Sequence, residues 1–341
     1  MHKLPFDLLL PLATLGLLSA CAKPAVPAQP NYFDNAGRAD AWSGGVRMLP
    51  IHTSKGDFHV WVKRTGNNSK LKLLILHGGP AMGHDYLDAM DAFLPGAGIE
   101  YYQYDQLGSG FSDRPGDDDL WTIERYLDEV EQVRSVLGLT KDDFCLYGQS
   151  WGGILAIEYA LKYQQNLKCL VISNMMASIP AYNDYADKVL KPQLKLEDLA
   201  LVEQLEAEGK TDDPRYMDIL IPAHYEQHIL RRPSAEWPFG LMRSLTNVNA
   251  HIYKLMQGPS EMGATGRLEN WDRFADLKRI AVPTLVMGAK YDTMDPAHMR
   301  SMAAEMPHAE AWISSKGSHL AMYDDQDAYF AALTGFLRKQ E

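Results

Sequence analysis

The chain has 341 residues, with 33 Lys and Arg against 44 Asp and Glu, a formal net charge of −11 at pH 7. That balance argues against nucleic acid as a partner and supplies no basic patch for lipid head groups. No Cys/His metal spacing and no phosphate-binding glycine loop occurs, so neither a metal nor a cofactor is expected.

In chain order, Met1-His2-Lys3 carries positive charge into the apolar run from Leu8 to Leu18. The run is too short for a permanent membrane span and fits the apolar region of a secretory signal. It ends at Leu18-Ser19-Ala20-Cys21, which resembles a bacterial lipobox, where cleavage precedes the cysteine and its thiol carries lipid. Residues 1–20 are therefore expected to be a signal peptide, and 21–45 a lipidated Cys21 followed by a proline- and alanine-rich tether. Ala22 stands where an aspartate would favour the inner membrane. The expected place is the bacterial cell envelope, at the periplasmic face of the outer membrane, with the lipid as the sole membrane contact.

From Val46 onward strand patterns alternate with helical ones. Strands are expected at Val46 to Thr53, Phe58 to Lys63, Leu71 to Leu76, Ile99 to Tyr104, Asp143 to Tyr147 and Leu167 to Ser173. A helix is expected over Thr122 to Leu137, with Val130, Val133, Val136 and Leu137 on its apolar face. Such alternation predicts an α/β class: a mostly parallel sheet with helices on both faces and functional groups at the strands' carboxyl ends. From Met176 to Trp271 the strand pattern stops and helical spacing broken by prolines takes over. We read a core over 46–175, a helical cap over 176–275, and the rest of the core over 276–341. Cys145 and Cys169 fall in adjacent expected strands and are expected as two buried thiols, since neighbouring parallel strands hold side chains awkwardly for a disulfide.

Gly148-Gln149-Ser150-Trp151-Gly152 sits where a strand gives way to a helix. Gly-x-Ser-x-Gly in that context is a nucleophile elbow, a sharp turn that exposes a strained serine, here Ser150. An acid and a histidine should follow at later strand ends. Lys290-Tyr291-Asp292 follows the strand at Thr284 to Gly288, and Gly317-Ser318-His319 follows the strand at Ala311 to Ser314. His319 would be the base and Asp292 would hold its tautomer. Asp295 could be the acid instead, but Asp292 lies nearer the strand end. His77-Gly78-Gly79-Pro80 ends the third strand, and the N–H groups of Gly79 and Trp151 are candidate oxyanion donors.

Five separated segments together resemble the proline iminopeptidases of the alpha/beta-hydrolase superfamily, especially the tricorn-associated type. They are His77 to Pro80 with His84-Asp85-Tyr86-Leu87; Tyr104 to Gly110 with Ser112 to Pro115; the elbow; Met256 to Glu261 with Thr265-Gly266; and Tyr291-Asp292 with Ser318-His319-Leu320. The resemblance spans about residues 46 to 341. It implies a serine exopeptidase that frees an N-terminal residue, often proline, from short peptides; an esterase or lactonase using the same triad is the rival. It also points to Glu261 as the carboxylate that detects the substrate's ammonium group, with Glu226, or less readily Asp218, as a second. The family turn usually has glycine where this chain has Ala81; a positive φ there would cost on the order of 1 kcal/mol, a negative one nothing.

Overall fold

The computed structural model describes Tyr32 and residues 45–341. Residues 1–31 and 33–44, on which the expected signal peptide, Cys21 and most of the expected tether fall, lie outside the described residues. Eight strands form one sheet: β1 (Val46–Thr53), β2 (Gly56–Thr65), β3 (Lys72–Leu76), β4 (Glu100–Tyr104), β5 (Phe144–Gln149), β6 (Cys169–Ser173), β7 (Thr284–Ala289) and β8 (Ala309–Ser314). Their order is β1-β2-β4-β3-β5-β6-β7-β8. The β1–β2 and β2–β4 pairs are antiparallel, and every pair from β4 to β8 is parallel.

Strand geometry sends alternate side chains to opposite faces, and β3 and β5 do this with apolar residues on both. Leu74, Leu76 and Leu146 enter one core layer, under Tyr126, Val130 and Val133 of α1 (Ile123–Val136) and Ile154 and Ile157 of α2 (Trp151–Tyr163). Leu73, Ile75 and Tyr147 enter the other, beneath the C-terminal helix. Thr122 starts α1 by accepting the Arg125 N–H, which satisfies one of the first-turn donors. Val136, placed by sequence on the apolar face, is 42% exposed. The buried row runs through Tyr126, Val130 and Val133 toward Leu137, and Val136 lies one residue, about 100°, off it.

Between β6 and β7 the chain is helical: α3 (Ile179–Tyr185), α4 (Leu196–Ala207), α5 (Pro214–Leu220), α6 (Phe239–Asn247) and α7 (Ala250–Met256), with shorter turns among them. The insertion has a closed neck. Ser178 and Asp272 form an antiparallel bridge, the Ile179 N–H donates to the Trp271 carbonyl and the Arg273 N–H to that of Ala177. After β7 come α8 (Pro296–Glu305) and, past β8, α9 (Gln326–Arg338). Among the described residues no helix is long and apolar enough to cross a membrane.

The cysteine expectation is corrected. Cys145 and Cys169 are direct partners in the parallel β5–β6 register, with Cα atoms 4.5 Å apart, and they are joined as a disulfide. That separation is inside the range a disulfide bridges, so alignment of the two residues overcame the general disadvantage of neighbouring strands. The bond closes a loop of sequence separation 24, and such a cross-link raises stability by about 3 kcal/mol through the unfolded chain. Denaturant unfolding with and without reductant should differ by that amount, with the reduced protein the weaker. Equal midpoints, or two alkylatable thiols in the unreduced denatured protein, would contradict the bond.

Candidate active site

The site begins with a close approach. At the end of β5 the chain turns into α2 within one residue, and Ser150 takes φ 55° and ψ −128°. A Cβ on Gly148 would meet the Gly152 carbonyl oxygen at 2.0 Å, and one on Gly152 would meet the Leu76 carbonyl oxygen at 2.2 Å. Only glycine fits either position, and the packing they allow forces the serine into its rare backbone region. The Ser150 N–H donates to the Ser173 carbonyl at 3.0 Å, which fixes the turn against β6.

Asp292 and His319 are brought together from the loops after β7 and β8. His319 Nδ1 is 2.8 Å from Asp292 Oδ1, and Asp292 is fully buried. Asp292 also accepts the Met294 N–H and, at 2.6 Å, the Asn174 side-chain amide. Asp295, the alternative acid, caps α8 through the Ala297 N–H. Burial works to lower the His319 pKa, but the charge and hydrogen bond of Asp292 outweigh it and hold the imidazole above its ordinary value. Ser150, His319, Gly79 and Glu261 line one cavity of about 690 Å³.

The turn after β3 is anchored through its side chains. The Gly78 N–H donates to Tyr86 Oη at 2.7 Å, that hydroxyl donates to Gln149 Oε1 at 2.6 Å, and Gln149 Nε2 donates to the His319 carbonyl at 3.2 Å. One chain of hydrogen bonds thus links turn, elbow and histidine loop. With the Gly78 N–H engaged, Gly79, at φ 114°, is the residue of the turn that lines the cavity. Trp151 opens α2, where first-turn N–H groups have no partner within the helix. Its indole donates to Gln106 Oε1, whose amide in turn donates to the His77 carbonyl. His77 is held near a pKa of about 4 by burial, so it is neutral and serves the turn as a hydrogen-bonding strut.

Ala81 has φ 62°, so the left-handed condition is met and the methyl carries the strain. Its carbonyl accepts the Asn249 N–H from the insertion, and its side chain is buried in the core. The surroundings thus hold the turn in place without the glycine.

Glu261 faces the cavity from the segment after α7. Its Oε1 accepts the Tyr253 hydroxyl at 2.5 Å, and its N–H donates to Tyr225 Oη. Its carbonyl accepts from Tyr182 and faces His224 Nε2 at 3.0 Å. Burial raises its pKa, opposed by His319 and the Tyr253 hydrogen bond. Glu226 is not brought to the site: its Oε1 accepts the Ser234 N–H at 2.6 Å, and neither it nor the exposed Asp218 lines the cavity. Among the described residues no group of side chains is arranged to hold a metal ion.

Sequence reasoning missed Asn174, Gln149 and His228. Asn174, at φ 52° just past β6, supports Asp292 and also donates to the Ser318 carbonyl at 3.3 Å. The His228 carbonyl accepts the His319 N–H at 2.9 Å, while its Nδ1 lies 2.9 Å from the Tyr291 carbonyl. An asparagine straight after a strand was a readable signal for the first. Nothing in the helical insertion marked His228.

The alpha/beta hydrolase fold family matches residues 73–326. The chain is 51% identical over 290 residues to the proline iminopeptidase of Flavobacterium johnsoniae, covering 85% of this chain and 97% of that one. It is 46% identical over 292 residues to that of Chitinophaga pinensis, covering 86% and 98%. The chain belongs to the proline iminopeptidase family of alpha/beta hydrolases. Among solved structures, the proline iminopeptidase of Mycobacterium smegmatis superposes with a TM-score of 0.76 at 28% identity, covering 86% of this chain and 98% of that one.

This arrangement can generate a serine nucleophile, and its test is Asp292→Asn. An amide cannot hold the imidazole in one tautomer, so kcat should fall by about 10⁴-fold. The base must be neutral, so activity is lost as pH falls through the folded His319 pKa, which Asp292 raises. The acid limb of the residual kcat profile should therefore move to lower pH. An unmoved limb would show that another group sets it.

Proposed function

We propose that this chain is a serine exopeptidase that frees the N-terminal residue, proline foremost, from short peptides. In this reading Ser150 Oγ attacks the first peptide carbonyl as His319 takes its proton, with Asp292 holding the imidazolium. The N–H groups of Gly79 and Trp151 receive the developing oxyanion. His319 returns the proton to the departing amine, and the acyl group stays on Ser150. Water, deprotonated by His319, then attacks the ester and frees the amino acid. Glu261 fixes the position of the substrate's ammonium group.

One observation carries the amine selectivity: the Glu261 carboxylate shares a cavity with Ser150 and His319. Tyr253 holds it by donating a hydrogen bond, which leaves carboxylate lone pairs for a cationic partner. An esterase has no need of that group. Removing one side of a desolvated charge pair costs roughly 2–5 kcal/mol. Glu261→Ala, and separately N-acetylation of a prolyl arylamide, should each lower kcat/KM by about 30-fold or more. Combined, they should lose less than the product. Equal hydrolysis of the free and acetylated substrates by the unmodified enzyme would transfer the assignment to an esterase.

The envelope location belongs to the same proposal. It is supported by Leu18-Ser19-Ala20-Cys21, by the tether composition, and by the Cys145–Cys169 disulfide, a bond at home in oxidising compartments. Mass spectrometry of the mature N-terminus from a Gram-negative host should find acylated Cys21. An unmodified terminus, or cleavage elsewhere, ends the idea.

A further inference from the structure

The cavity is larger than one residue needs, and its charge is one-sided. A sphere of 690 Å³ is about 11 Å across, whereas a dipeptide spans at most about 7 Å. A dipeptide seated with its ammonium on Glu261 therefore keeps its terminal carboxylate inside. Around it the walls are Met82, Trp237, Leu241, Met242, Leu245 and Val248. Among the described residues lining the cavity there is no Lys or Arg. Arg243, on α6 between two lining residues, is committed to Asp85 through an ion pair.

We propose that the site selects against a free carboxylate on the residue following the scissile bond. It takes prolyl amides, and peptides of three or more residues, in preference to dipeptide acids. This rests on the aminopeptidase reading above. A dipeptide acid must bring its carboxylate out of water without a cationic partner. It must also bring that charge toward the Glu261 carboxylate, and like charges repel most in a poorly solvated space. An amide end carries no such charge. In a tripeptide the charge sits one residue, about 3.5 Å, further out, at about the full 11 Å span of the cavity, where its open mouth meets solvent. An apolar leaving residue suits the same walls.

The test compares Pro-Ala acid, Pro-Ala amide and Pro-Ala-Ala acid on the intact enzyme at pH 8. The amide and the tripeptide should exceed the dipeptide acid in kcat/KM by about 10-fold or more, mainly through KM. A second arm supplies the missing cation. Thr246 lines the cavity and is exposed at its rim on α6. Thr246→Lys should narrow the amide-to-acid ratio at least about threefold, since a cation at the rim pairs with the stranded carboxylate. Amide and dipeptide acid cleaved equally by the unmodified enzyme would overturn the inference while leaving the aminopeptidase reading intact. A ratio unmoved or widened by Thr246→Lys would show that charge is not its origin and also overturns it. If none of the three is cleaved, the aminopeptidase reading falls first and takes this one with it.

Discussion

The rest of the site depends on the distance between β3 and the start of α2. Because Gly148 and Gly152 have no side chains, the helix packs against the β3 carbonyls, and the chain between them has a single residue in which to reverse. Ser150 bears that reversal at φ 55°. A serine in this region costs on the order of 1–3 kcal/mol, and the surrounding structure must over-determine it. It does so with the Ser150 bond to β6, the close-packed glycines and the long buried face of α2. The same strain lifts the hydroxyl out of the sheet and leaves the Trp151 N–H at a helix start. The exposed Ser150 hydroxyl and the unpaired position of the Trp151 N–H at the helix start are thus two results of one backbone constraint.

A second constraint is that loops from distant parts of the chain must agree in position. The triad residues belong to three strand ends, and no single element spans them. Buried polar side chains do that work: Tyr86 and Gln149 tie the turn after β3 to the histidine loop, and Asn174 ties Asp292 to Ser318. Each is buried, so each bond is made in a medium where an unpaired group would be costly. Order at the site therefore follows from core burial as much as from catalytic need. Ala81 illustrates this, since a left-handed alanine is tolerated where its carbonyl and methyl are both fixed.

Continuous apolar runs and glycine punctuation made β3, β5 and β6 readable, because those signals are local and these strands are buried on both faces. Ser150, Asp292 and His319 were readable for a related reason: chain order and strand ends locate them without knowledge of contacts. The disulfide was not, because it depends on register, and a shift of one residue between β5 and β6 would have separated Cys145 from Cys169. Glu226 was misplaced for the same kind of reason. Helical spacing in the insertion says which residues share a face, but not which face looks into the cavity, and Glu226 turns instead to the Ser234 N–H. Glu261 was reachable through a motif, whereas the tyrosines that hold it come from three separate parts of the insertion.

The insertion is more than a cover, because some of its contacts with the core fall on the loops that carry Asp292 and His319. His228 and Ile229 accept the N–H groups of His319 and Leu320, and Ser318 Oγ donates to the Ile229 carbonyl. His228 Nδ1 meets the carbonyl of Tyr291, next to Asp292. His224, four residues earlier, faces the Glu261 carbonyl. A single short stretch of the insertion therefore touches the Asp292 loop, the His319 loop and the Glu261 segment. That stretch, together with the tyrosines from elsewhere in the insertion, fixes Glu261 relative to the Asp292 and His319 loops.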